Sequence, residues 1–250
     1  SRTAYFNGLK AVWRGLPDST LDVFGFANPS HDPLAADLSG ADVQRDLNQY
    51  PKALNDVREK GAGIYLKNKT MAKLPCELYG IFKQEGDWNQ TATTNGSGAY
   101  VPPTYAWQTL DSAQGVVVNP EVNVGTVGFR LMPELSPELR GNLEFAYQFG
   151  EHADTSADVQ GYMVDASVAC QLPVFTELKP TIEPWFFCLS GDDPQTADDE
   201  GWNPLWARYT SFSDLLSYTF DGYRWSNMML PAMNLYATLK VRKTATLEQI

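Results

Sequence analysis

RGNLEFAYQFGEH, residues 140 to 152, places its side chains in two unlike rows. Arg140, Asn142, Glu144 and Gln148 fall on one side, and Leu143, Phe145, Tyr147 and Phe149 on the other. A period of two is that of a β-strand, whose successive side chains leave opposite faces. The pattern does not say which face the protein buries. In a water-soluble sheet the apolar side packs on a core and the polar side meets water. In a membrane barrel the arrangement is reversed, with the apolar side toward lipid and the polar side lining an internal space.

The neighbouring sequence repeats the pattern. YFNGLKAVWRG and TLDVFGFAN are joined by the tight LPDS, and GAGIYLKNKTM and CELYGIFKQEG by AKLP. VNVGTVGFRLM and the opening strand are joined by PELSPEL, VQGYMVDASVACQ and KPTIEPWFFCLSG by LPVFTEL. Each of these short links contains proline, as turns do. A last segment, MNLYATLKVRK, completes nine strands. The connections between the hairpins are longer, at 29–60, 86–120 and 191–229, with a shorter one near 151–157. Short links alternating with long ones are the habit of an outer-membrane barrel, with tight turns on one side and extended external loops on the other. The expectation is an all-β, antiparallel transmembrane β-barrel, one domain over residues 1–250. ADVQRDLNQYPKALNDVREK, inside the first long loop, has the charge and Leu/Ala content of a short helix.

Composition narrows the function classes. No run approaches eighteen consecutive apolar residues, which excludes a transmembrane helix but not barrel strands, where polar residues interrupt every second place. A net charge of −11 argues against a nucleic-acid partner, which needs a basic patch. Cys76, Cys170 and Cys188 show no CxxC spacing and sit in apolar stretches, so single buried or lipid-facing thiols are expected rather than a disulfide framework or zinc site.

If the apolar rows meet lipid, the inward rows carry Lys10, Arg14, Lys67, Lys69, Glu77, Lys83, Glu85, Arg130, Arg140, Glu144, Asp165, Glu183, Lys240 and Arg242. The basic members of this set form a candidate anion pathway, because a basic wall beside a low-dielectric surround concentrates anions. The same residues serve equally as solvated, mutually paired charges of a wet lumen. Opposite them stand Leu9, Ala11, Trp13, Ile64, Leu66, Leu143, Phe145, Val164, Ala166, Val168, Leu235, Ala237, Leu239 and Val241, with no charge among them. Trp13, Tyr147, Phe149 and Trp185 are candidates for interfacial girdles, although ordinary sheet packing explains any one aromatic. The acidic surplus lies in the loops: Asp32, Asp37, Asp42 and Asp46, then Asp192, Asp193, Asp198, Asp199 and Glu200. The second group offers hard oxygen ligands for calcium but lacks the D-x-D-x-D-G order of an EF-hand, so a solvated acidic loop is the simpler reading.

Several stretches, in order, resemble the alginate-export family of bacterial outer-membrane proteins. SRTAYFNGLKAVW looks like that family's RTFDGLKLRW type of segment. YQFGEH, LKPTIEPWFFCLSGDD, DEGWNPLWARYTSFSDLLSYTFDG and RWSN look like its YQFG, KP…SGD and WNPLFGR…WSELY elements and their successors. The resemblance spans Arg2 to about Lys243, and its specificity lies in the order of short motifs. It implies a porin-like barrel of about 16 to 18 strands, of which this chain is a segment incomplete at both ends, passing an anionic polysaccharide through a basic lumen. Cys170 and Cys188 depart from the family pattern, and the lumen set is less uniformly basic than export of a uronate polymer suggests.

No catalytic constellation is expected. His31 and His152 are the only histidines, both in predicted loops, and no Ser-His-Asp or Cys-His signature accompanies them. A carboxylate pair for glycoside hydrolysis cannot be chosen from sequence. The expected role is thus a non-enzymatic outer-membrane channel for acidic oligo- or polysaccharide or small anions, without cofactor. The alternatives are a structural outer-membrane barrel with a plugged lumen, whose long loops contact a partner protein or surface layer, and a soluble carbohydrate-binding β-sandwich.

Overall fold

The computed structural model describes residues 8–28, 59–86, 88–91, 109–111, 116–119, 121–153, 155–175, 177–206 and 227–238. Thirteen strands form among these residues: β1 Gly8–Trp13, β2 Ser19–Asn28, β3 Glu59–Asn68, β4 Cys76–Glu85, β5 Trp88–Thr91, β6 Thr109–Asp111, β7 Val116–Asn119, β8 Val122–Leu131, β9 Glu134–Ser136, β10 Leu139–His152, β11 Asp158–Gln171, β12 Thr181–Leu189 and β13 Met228–Tyr236. Among the described residues the protein is all-β, and the strands pair antiparallel. One sheet runs β1-β2-β3-β4-β8-β10-β11-β12-β13, with the short β9 added beside β10. It is an open meander among the described residues, each long strand lying beside its sequence neighbour. A small second sheet, β5-β7-β6, occupies part of the long connection between β4 and β8. The sequence reads that connection as loop. Its Val116–Asn119 run is β-branched enough to pair with two short partners.

The short links fall where proline places them, at 14–18 between β1 and β2, 69–75 between β3 and β4 and 172–180 between β11 and β12. Within PELSPEL, Glu134–Ser136 pairs back onto the start of β10 and thickens that end of the sheet. The last strand begins and ends earlier than the sequence suggests, at Met228–Tyr236, and Ala237 and Thr238 follow it outside the ladder. Pro231 sits within it, facing Phe186. The short helix expected in 41–60 lies outside the described residues, apart from Glu59 and Lys60, which open β3.

Cross-strand register sorts every side chain onto one of two faces. One face carries Leu9, Trp13, Val23, Ile64, Leu78, Phe82, Val127, Phe129, Leu143, Phe145, Tyr147, Phe149, Tyr162, Val168, Phe186, Met229, Met233 and Leu235. Most of these are exposed, from Phe145 at 37% to Leu9 at 80%. The opposite face carries the buried residues Ala146 and Gln148 at 0%, Thr126 at 2% and Lys83 and His152 at 3%. Val122, Val124, Val159, Phe187 and Leu189 are buried on that face too, so the large apolar side chains of the first face are left exposed while the second face covers both polar and apolar residues. Cys76, Cys170 and Cys188 all lie on the apolar face as free thiols.

Candidate functional site

The polar face has two parts, an open belt near the short turns and a covered region nearer the long connections. The belt is built by register alone. Lys67, Glu77, Arg130, Glu144 and Asp165 are direct cross-strand neighbours on β3, β4, β8, β10 and β11, so unlike charges stand opposite one another over most of the row. The Arg130 guanidinium donates to Asn142 Oδ1 at 2.7 Å and lies 3.9 Å from Glu144. Aromatic hydroxyls satisfy the carboxylates: Tyr65 donates to Glu77, and Tyr79 to Glu144 at 2.8 Å. The two tyrosine rings stack with centroids 5.3 Å apart, and Lys67 lies over Tyr65.

The belt continues across β11 to β13 with the same chemistry. The Trp185 indole N–H donates to Asp165 at 2.6 Å. Ser167 and Tyr236 hydroxyls donate to Glu183 at 2.8 and 2.9 Å. A shallow depression of about 490 Å³ opens here, lined by Arg130, Arg140, Asn142, Ser167, Glu183 and Tyr236 among others. Aromatic rings beside paired charges and amides suit hydroxyl-rich solutes, which need stacking surfaces and both donors and acceptors.

The covered region lies under residues 190–206, which cross the polar face as a strap. Asp199 forms a parallel bridge with Val159, and its backbone N–H donates to Asp158 O at 2.8 Å. Its carboxylate lies 3.0 Å from His152 Nε2. Gln148 grips the strap backbone: its Oε1 accepts from Asn203 N–H at 2.7 Å, and its Nε2 donates to Asn203 O at 2.7 Å and Thr126 Oγ1 at 3.2 Å. The buried Lys83 ammonium donates to Leu205 O at 2.6 Å and lies 2.6 Å from Glu85 and 3.7 Å from Glu59. Trp206 packs edge-on against Phe26, with ring centroids 4.6 Å apart. Glycine makes this approach possible: a β-carbon at Gly61 would lie 2.5 Å from the Trp206 ring, and one at Gly161 3.2 Å from Trp202 Cα.

The candidate pathway residues divide accordingly. Arg130 and Arg140 border the depression, with Arg140 exposed, and Lys67 is exposed in the belt. Lys10 joins Asp22 at 2.7 Å. Arg14 and Lys69 follow the last residues of β1 and β3, so they stand in the short turns rather than within strands. Lys83 is sealed beneath the strap. Lys240 and Arg242 lie outside the described residues, as do His31, Asp32, Asp37, Asp42 and Asp46.

The acidic loop turns its oxygens to different donors. Asp192 accepts from Glu200 N–H, Asp193 from Gln195 N–H, Asp198 from Asp158 N–H, and Asp199 from Gly201 N–H. Glu200 accepts from Thr196 Oγ1 and Asp193 N–H. Among the described residues no three acidic, His or Cys side chains gather as a cation would require.

Two expectations are corrected here. Trp185 does not stand in an outer girdle: it shares parity with Glu183 and Phe187 and points to the polar face. His152 is not in a loop but ends β10, buried. Sequence reasoning also passes over Tyr65 and Tyr79, although each shares parity with a charged residue that the same pattern assigns inward. The partner of Gln148 is beyond its reach, because Asn203 is fifty-five residues away in the chain. No family model, no curated protein and no solved structure matches this chain.

Proposed function

We propose that this chain forms the wall of an outer-membrane β-barrel channel, with the apolar face toward lipid and the belt along a solute path. The observation that carries the reading is the inversion: a row of large apolar side chains is exposed while Gln148, Thr126, Lys83 and His152 are buried. In water, so extended an apolar surface would be an aggregation liability. Against hydrocarbon it is the low-energy arrangement, because the backbone groups inside the strand ladder are paired and the charges are on the other side. The solutes that fit the belt are oligo- or polysaccharides, with tyrosine and tryptophan rings to stack on and charged pairs to exchange hydrogen bonds. The acidic sugars implied by the family resemblance would meet Arg140 and Lys67, the exposed cations of the belt, as weak serial sites.

The strap favours a second reading, a barrel whose lumen is filled and whose long connections engage a partner. The soluble β-sandwich needs a second sheet against the apolar face, and among the described residues none lies there. Extraction followed by planar-bilayer recording tests the proposal. The expected result is a protein that requires detergent and conducts, with uronate oligomers blocking the current. A chain that stays soluble and monomeric in plain buffer contradicts it.

A further inference from the structure

The strap is held by strong anchors yet seated imperfectly. Leu205 adopts φ 56°, a left-handed conformation that β-carbons disfavour, and is kept there by Asn203 Oδ1, which accepts its N–H at 2.8 Å, and by Lys83 on its carbonyl. The Trp206 indole N–H is buried with no acceptor among the described residues. Beneath the strap, Gln148 presents both halves of its amide to a single backbone unit, N–H and C=O of Asn203. Any hydroxyl or amide of a solute offers the same donor and acceptor, and Lys83 would serve an incoming carbonyl or hydroxyl as it serves Leu205 O.

We infer that residues 199–206 are a displaceable self-occupant of the polar face: a strap that holds the place of the solute on Lys83 and Gln148 and leaves as a unit to open the path. This rests on the channel reading for its consequence but not for its geometry. Strain at Leu205 and the unsatisfied Trp206 N–H lower the cost of release, while Lys83, Gln148 and the Asp199 bridge set where the strap returns. Such two-state behaviour needs only a few local contacts to differ between the states.

The test uses the full chain in detergent and in planar bilayers, with Lys83→Met on the sheet side and Trp206→Ala on the strap side. The second substitution lies outside the strands and removes a ring that packs on Phe26 without altering any ladder hydrogen bond, so it keeps the test valid if the first disturbs folding. Limited proteolysis within 199–206 should accelerate by about tenfold in each, since cleavage follows the population of the open form. Single-channel conductance should rise in the same variants. Unchanged cleavage in folded Trp206→Ala protein overturns the inference. Accelerated cleavage with no current from any variant supports the displaceable strap and contradicts the channel reading, so the two failures are distinguishable.

Discussion

The two sides of β10 combine polarity and exposure in opposite ways. Leu143, Phe145, Tyr147 and Phe149 stand 37 to 49% exposed, while Ala146 and Gln148, between them, are fully covered. Gln148 is covered by the strap, to whose Asn203 backbone it is hydrogen-bonded. Among the described residues the buried apolar side chains are few, and Val122, Val124 and Val159 cluster together. Hydrogen bonds and charge pairs hold the covered face together, and such networks are costly to leave half-satisfied.

The largest effect is expected on the apolar side. Val127 is 49% exposed on β8, between neighbours on two strands. Val127→Arg should cost about 2 to 4 kcal/mol of folding stability in lipid bilayers, the depth-dependent penalty for a cation at mid-membrane. On a wet surface the same substitution would stay within about 0.5 kcal/mol, so urea titration in vesicles separates the two environments. On the covered side, Gln148→Leu keeps the volume but leaves Asn203 N–H and C=O unpaired. A loss of about 1 to 3 kcal/mol is expected in the same titration. In the belt, Tyr79→Phe removes one hydrogen bond to Glu144 and should cost about 1 kcal/mol. Arg140→Gln, at an exposed site, should change stability by less than about 0.5 kcal/mol. Its effect should appear instead as weaker block by uronate oligomers in bilayer recordings.

Much of this fold is legible in the sequence because side chains alternate along a regular strand. Once Leu143 and Phe145 are placed on one face, Glu144 and Gln148 must lie on the other, and proline marks the short links. Two things are not legible. Parity is obscured at Trp185, where a run of aromatics, WFF, hides the alternation that Glu183 makes clear. The pairing of Gln148 with Asn203, and of Lys83 with Leu205, depends on a strap folding back over strands far away in sequence, and no local pattern announces such contacts. The basic residues that resemble a continuous pathway in the sequence are therefore split: Lys83 is sealed, Lys10 is paired with Asp22, and Arg140 stands at the depression.

The central claim is that the apolar row of β10 faces lipid and the polar row faces away from it. Spin labels at single cysteines introduced one at a time from residue 143 to 149, in protein whose Cys76, Cys170 and Cys188 are replaced by Ala, measure this directly in reconstituted vesicles. The expected profile has a period of two, with 143, 145, 147 and 149 relaxed by membrane-dissolved oxygen and 144, 146 and 148 shielded from it. Labels at 143, 145, 147 and 149 relaxed instead by a water-soluble nickel complex, or shielded from both agents, would contradict it.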